Sequence, residues 1–311
     1  MSGPKWKAVR AAWLQEGGRR LDCNPYMSGA LEARDVLRQL KVRKDALRTL
    51  TAGHAGGIYN GPVFARVWVD DPRYGVPFLG SSDMLNADLS TLPLLQRKYA
   101  QSKKLAHLEL SPGTTLITCS GTIGRMAYVR PDMAGMWSSQ HIMKVVPNPE
   151  RIPPGYLYAF LSSRYGVPLV VSGTYGAIIQ HIEPEHIADL PVPRFTEDIE
   201  LRIDGAVAKS AQLRAEASHT LKRAIAELLT TAKLSSMPTG GAVMPFSVSS
   251  AAASALQKRC DGFFHSRYHQ NAVTAMKKAG ATQSLADFTT GIVEPNRFKR
   301  VVLDADSGGT P

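Results

Sequence analysis

The feature that most restricts the fold of this chain is an opening that occurs twice. Arg20-Leu21-Asp22, with Tyr26 close behind, returns as Arg259-Cys260-Asp261 followed by Phe263 and Phe264. Phe64-Ala65-Arg66-Val67 returns as Phe298-Lys299-Arg300-Val301, Asp70 as Asp304, and Gly75-Val76-Pro77 as Gly309-Thr310-Pro311. The later matches share an offset of 234 and the first has 239, so one loop differs by five residues between the copies. A period this long does not suit a solenoid and points to domain duplication. The second copy reaches only its equivalent of Pro77, where the first runs on into Phe78, so the second unit is expected to be incomplete. Chance similarity among short basic β segments is the alternative.

Residues 196–234 lie between the copies and contain no proline. Ile203, Val207, Ser210, Arg214, Ala217, Leu221, Ala224 and Leu228 follow alternating steps of four and three, a heptad-like seam. Ser210 and Arg214 interrupt it, and its alanines keep it shallow enough for close helix–helix approach. A helix over this whole segment is about 55–60 Å long at 1.5 Å per residue. Residues 235–257, opening on Ser235-Ser236-Met237-Pro238-Thr239-Gly240-Gly241, have linker composition. The expected organisation is a first domain at 1–195, a spacer helix at 196–234, a linker at 235–257, and the start of a second domain at 258–311.

The first domain reads as mixed α/β. Leu31, Val36, Leu37, Leu40, Leu47 and Leu50 predict an amphipathic helix over 28–50. Val63, Ala65, Val67 and Val69 alternate as in a strand within 62–90. Residues 110–146 predict consecutive short strands around a Ser120-Gly121-Thr122-Ile123-Gly124 turn. A proline-led helix is expected over 154–165, and a short turn or helix at Glu183–Leu190 leads into Pro191-Val192-Pro193, which closes the domain.

Of the 311 residues, 37 are Lys or Arg and 26 Asp or Glu, giving a formal charge of +11. Residues 1–195 carry +8, 196–234 none, and 235–311 carry +3. A basic surface on the domains, not on the spacer, suits a polyanionic partner, nucleic acid ahead of membrane. Cys23, Cys119 and Cys260 form no Cys-x-x-Cys pair and an odd count, which fits a reducing, cytoplasmic setting. The first 21 residues lack the apolar core of a secretory signal, and no apolar run is long enough to span a bilayer.

Four segments, in order, resemble the specificity (S) subunits of type I restriction–modification systems. Arg20-Leu21-Asp22 with Tyr26 resembles the opening of a target recognition domain. Gly75-Val76-Pro77-Phe78-Leu79-Gly80-Ser81-Ser82-Asp83 resembles the family's Gly-x-Pro-hydrophobic segment. Gly113-Thr114-Thr115-Leu116-Ile117-Thr118 through Gly124 resembles its glycine-rich hairpin. Tyr175-Gly176, Ile182 and Leu190-Pro191-Val192-Pro193 resemble the domain exit. The resemblance implies an α/β target recognition domain, a long coiled-coil-type helix and a second, duplicated domain. It also implies a non-catalytic DNA-binding chain that binds no cofactor itself and directs a separate adenine methyltransferase, which uses S-adenosylmethionine. A nuclease subunit or a second copy of this chain is a further partner. Thr196-Glu197-Asp198 stands where the family often enters the helix with Glu-Gln. A stand-alone regulatory DNA-binding protein and an unrecognised DNA-modifying enzyme are the other readings.

Catalytic signatures are poor. Asn24-Pro25-Tyr26 and Asp71-Pro72-Arg73-Tyr74 each miss the second proline of a methyltransferase loop. Asp70, Asp71 and Asp83 have no lysine close behind, as a metal-dependent nuclease would want. Gly121-Thr122-Ile123-Gly124 is not followed by the Gly-Lys-Ser/Thr of a phosphate loop. The pairs His181/His186 and His265/His269 lack cysteine support for a metal, and Ser120 beside Cys119 has no base that spacing identifies.

The candidate DNA-binding residues fall in five places. Ser81, Ser82 and Asp83 lie in the Gly-x-Pro segment. Arg97, Lys98, Lys103 and Lys104 surround Tyr99 and Gln101, as a phosphate-contacting edge or a solvated helix face. Thr122 and Arg125 belong to the glycine hairpin, where a tight turn alone also explains the glycines. Ser139 and Gln140 sit between two strands, and a glutamine amide can pair bidentately with adenine. Tyr175 and Gln180, with His181, form the last cluster. The seam residues Ile203, Val207, Ala217, Leu221, Ala224 and Leu228 are expected to meet a partner helix.

Overall fold

A computed structural model describes residues 6–16, 24–172, 181–234, 249–257, 259–262, 264–280, 283–291 and 293. The chain divides into two compact units, 1–221 and 222–311, and the division falls inside the long helix.

In the first unit the helices α1 (Ala11–Glu16), α2 (Asn24–Met27) and α3 (Ala30–Gln39) precede β1 (Lys44–Ala46). Ten short strands follow one another as β1, β2 (Ile58–Tyr59), β3 (Trp68–Val69), β4 (Gly75–Leu79), β5 (Leu94–Gln96), β6 (Thr115–Thr118), β7 (Met126–Tyr128), β8 (Trp137–Ser138), β9 (Ile142–Val145) and β10 (Pro191–Pro193). They build a β2-β9-β6-β7 sheet, a β3-β5-β4-β8 sheet and a β1-β10 pair. The helices α4 (Arg97–Ala100), α5 (Pro154–Leu161), α6 (Gly166–Val171) and α7 (Pro184–Ala188) intervene, and α8 (Glu197–Thr231) follows. The architecture is mixed α and β with a long helix after the sheets.

Strand β6 shows how the layers form. All four of its residues are buried, so its sequence is uninterruptedly apolar or neutral where a one-sided strand would alternate. Ile117 packs with Leu47, Met143, Val145, Tyr156 and Leu157 in the core under the helices. Leu116, on the other face, packs with Leu79, Ala127, Val129 and Ile142 between the sheets. A third cluster of Phe64, Val76, Phe78, Leu95, Leu108 and Trp137 fills the β3–β5–β4–β8 sheet's side.

Pro191 and Pro193 do not prevent β10 from being a strand. Leu190 O accepts from Leu47 N at 3.0 Å and Arg194 N donates to Arg43 O at 2.8 Å. Residues 190, 192 and 194 therefore carry the ladder, and the missing proline N–H groups face away from β1.

Several expectations need correction. The helix expected over 28–50 ends at Gln39, and Leu47 and Leu50 reach the core from a 3-10 turn after β1. Periodicity could not distinguish these leucines from a continuing helix because their spacing happens to suit one. The alternation around 63–69 points the other way: Phe64 is buried, whereas Val63 and Val67 are exposed. The 154–165 helix stops at Leu161 and restarts at Gly166. The long helix runs from 197 to 231, about 52 Å.

In the second unit, the short helix α9 (Ala253–Leu256) precedes α10 (Arg267–Ala279), which Ser266 caps by accepting from His269 N. The offset of 239 between the two openings lays α3 onto residues 269–278, inside α10. A helix thus follows each of the two matching sequence segments, beginning at Ala30 and at Arg267. Arg20-Leu21-Asp22 and everything from Arg297 onward lie outside the described residues.

Candidate nucleic-acid interface

One edge of the first unit gathers most of the candidate residues. Strands β4, β6 and β8 end there, at Leu79, Thr118 and Ser138, and β7 and β9 begin there. Ser139 N donates to Leu79 O at 3.0 Å, which sets the Gly80–Asp83 turn beside the Ser139–His141 turn. Cys119 N donates to His141 O at 3.0 Å, and Ser120 forms an isolated antiparallel bridge with His181. Ser81, Ser82, Asp83, Thr122, Arg125, Ser139 and Gln140, far apart in sequence, therefore share one rim. Tyr175 and Gln180 lie outside the described residues.

The hairpin between β6 and β7 is a shaped turn. Thr118 Oγ1 donates to Thr122 O at 2.6 Å and accepts from Arg125 N at 3.0 Å. Gly124 has φ of +80°, and a Cβ there would meet Val171 Cγ2 at 2.5 Å. The turn is thus pinned against α6, with Thr122 and Arg125 exposed at its tip.

Gln140 lies half-buried on the rim, with both ends of its amide engaged. Its Oε1 accepts from Arg66 Nη2 and from Ser139 Oγ, each at 3.4 Å, and its Nε2 lies 3.2 Å from His141 Nε2. Arg66 in turn lies over the Phe78 ring, 5.3 Å from its centroid. Ser139 itself is buried: its Oγ accepts from His141 N, so it braces the turn and leaves Gln140 as the presented group. Arg66 was not singled out by sequence; its place in the Phe64–Val67 repeat was the only signal available.

Arg97 and Lys98, which open the basic run, do not share this rim. Lys98, Lys103 and Lys104 are exposed, but they follow β5, whose end pairs with the start of β4. Lys98 is therefore one strand length, roughly 15 Å, from the Ser81–Asp83 turn. Arg97 is occupied structurally, donating to Pro72 O at 3.2 Å and Gly75 O at 2.8 Å.

The acids considered for metal chemistry are split. Asp70 and Asp71 precede β4, and Asp83 follows it. Asp71 is paired with Arg73 at 2.6 Å, which holds its carboxyl below the usual range. Among the described residues no group of three or more His, Cys, Asp or Glu could hold a metal ion. His186 Nδ1 accepts from Glu183 N within the α7 cap, and His181 bridges Ser120. Burial pushes the Cys119 thiol up to about 11, which leaves it protonated and a poor nucleophile. No helix among the described residues is long and apolar enough to cross a membrane.

The start of α8 is fixed to the domain. Arg194 bonds both oxygens of Glu200, at 2.9 and 2.7 Å, and Asp45 at 3.1 Å. Gly155 N donates to Asp204 Oδ1 at 2.6 Å, and a Cβ on Gly155 would meet Val207 Cβ at 2.9 Å. Of the seam residues, Ile203 and Val207 are half-buried, Ile203 against the first core. Ala217, Leu221, Ala224 and Leu228 are exposed, as are Leu213 and Ile225 beside them.

No protein-family model and no curated protein matches the chain. Several solved structures are similar to it. The S subunit of a type I restriction–modification system from M. genitalium is 11% identical over 62% of this chain and 43% of that one, with a TM-score of 0.33. A chain from a structural study of type I restriction–modification assembly and conformational transition is 12% identical over 70% and 52%, TM-score 0.36. The HsdS subunit from Thermoanaerobacter tengcongensis is 13% identical over 86% and 56%, TM-score 0.39. The chain spans about half the length of these structures.

Proposed function

We propose that this chain is a non-catalytic DNA-recognition subunit that reads duplex sequence with the rim of its first domain and directs a separate adenine methyltransferase to the site. The observation that carries the reading is the convergence of Ser81–Asp83, Thr122, Arg125 and Gln140 on one edge of two packed sheets. Turns on a rigid scaffold can present donors and acceptors to base edges without moving the core. Gln140 offers an amide for adenine, and Arg66 or Arg125 a fork for guanine. The exposed lysines at the far end of β4 contact phosphates and set affinity, not sequence. The ordered resemblance of four segments to type I S subunits supports the same reading and supplies the methyltransferase, with a nuclease subunit as a further partner. The exposed Leu221 and Leu228 face of α8 meets a helix of a second copy or of the methyltransferase, since an apolar stripe of this kind favours association.

The test is binding to a selected duplex site. Gln140→Ala or Arg125→Ala loses discrimination at one position, at roughly 1–3 kcal/mol. With S-adenosylmethionine and duplex the isolated chain transfers no methyl group, and with magnesium it does not cut. Either activity, abolished by a point change in this chain, overturns the non-catalytic assignment.

A further inference from the structure

A cavity of about 290 Å³ opens between the His54–Gly57 loop, the Ala106–Leu110 segment and the ends of β6 and β9 opposite the Ser120–Gly124 turn. Lys144 forms part of its wall. This side chain is 1% exposed, and its ammonium donates to one acceptor, Ser139 O at 3.1 Å. Burial pulls its pKa down to about 7. Above it the His54 and His107 rings stack with centroids 4.0 Å apart. Tyr59 Oη donates to His107 O at 2.8 Å and holds that segment in place. His107 is kept below its usual pKa by burial, then by His54, then by Lys144. Ala55, next to His54, has φ of +47°, a strained conformation for a residue with a Cβ.

Lys144, His54 and His107 thus line one small space. The single carboxylate on its wall is that of Glu109, an exposed residue. A buried ammonium without an anionic partner is costly, and a purely structural position would be better filled by methionine.

We propose that this cavity binds a small tetrahedral oxyanion of the phosphate or sulfate class, with Lys144, His54 and His107 as its cationic wall. Ser111 and Thr114, also on the wall, supply neutral hydroxyl donors. The anion provides the counter-charge that Lys144 lacks and favours the protonated forms of Lys144 and His107. Two sources carry this chemistry, a free oxyanion and a phosphate of the DNA backbone. The site does not depend on the proposed function, although its second source does.

The full chain, in buffer free of phosphate and sulfate, is titrated with inorganic phosphate and followed by calorimetry and by histidine ring NMR signals. Saturable one-site binding is expected, with the His54 and His107 signals moving together. Affinity for sulfate, whose charge is constant, falls at least tenfold between pH 6 and 8.5 as Lys144 loses its proton; His54, His107, Glu109, Tyr59 and Cys119 are the other ionisable side chains around it. Lys144→Met weakens binding at least tenfold; His107→Gln does the same and serves if the first variant does not fold. Phosphate competing with duplex, together with a uniform loss of duplex affinity in both variants, assigns the anion to the DNA backbone. Phosphate binding with unchanged duplex affinity assigns it to a free oxyanion. No saturable phosphate or sulfate binding to 50 mM, roughly a hundred times a typical metabolite-site requirement, with duplex affinity unchanged in both variants, overturns the proposal.

Discussion

Arg194 and Glu200 make a two-pronged ion pair, 2.9 and 2.7 Å, across the joint between β10 and α8. The Glu200 side chain is only 4% exposed, and the same guanidinium reaches Asp45 on β1. The joint therefore ties the exit strand, its partner strand and the first turn of the helix through one cation. Glu200→Gln leaves Arg194 partly unpaired in a largely buried place. It is expected to lower stability by about 2–4 kcal/mol, read by denaturant unfolding of the full chain. A loss below about 0.5 kcal/mol contradicts a fixed joint.

The outer seam of α8 is a different matter. Leu221 and Leu228 are 48% and 64% exposed, so nothing in the first domain's core depends on them. Leu221→Asp with Leu228→Asp is expected to abolish assembly with a partner helix while the unfolding midpoint of the first unit stays within a few degrees. Sedimentation of the variant with and without the proposed methyltransferase partner reads the result. Normal assembly means that the exposed stripe is not the contact.

Much of this arrangement was legible in the sequence, and the part that was not has physical causes. Consecutive strands between 110 and 146 announced themselves through glycine and proline turns, and the long helix through its uninterrupted period. Strand β5 did not, since Leu94-Leu95-Gln96 is too short to show alternation. The pairing of β10 with β1 spans most of the domain and involves a proline-flanked strand, which local pattern cannot foresee. At the rim, residue type picked out Gln140 and Arg125 as candidates, and the fold leaves the first half-exposed and the second exposed. Arg66 and the buried role of Ser139 depend on which strand ends meet, and that is a property of topology.

Lys144 makes stability depend on pH in a defined sense. Its folded pKa of about 7 lies below the ordinary value of 10.5, so between these the unfolded chain binds more protons. Stability therefore rises with pH from about 7 toward 10.5, and the burial cost is fully felt below 7. In buffer without oxyanions Lys144→Met should raise the melting temperature by several degrees at pH 6 and by less at pH 9. A variant destabilised equally at both values means that the ammonium contributes more through its bond to Ser139 than it costs.

Under the proposed function the lysines beyond β5 set affinity without sequence. Lys103→Gln with Lys104→Gln should weaken binding to every duplex alike and reduce the slope of log K against log salt by about two. An unchanged slope removes both from the phosphate-contacting set.

The central claim is that the rim reads sequence, and selection of duplexes from a random pool tests it most directly. The wild-type chain, with the proposed methyltransferase partner where assembly requires it, should enrich one defined site. Gln140→Ala should enrich the same site with a single position relaxed, and Arg66→Ala should relax that position or its neighbour, because Arg66 orients the Gln140 amide. Enrichment of no site by the wild type, or an unaltered site in both variants, contradicts the account.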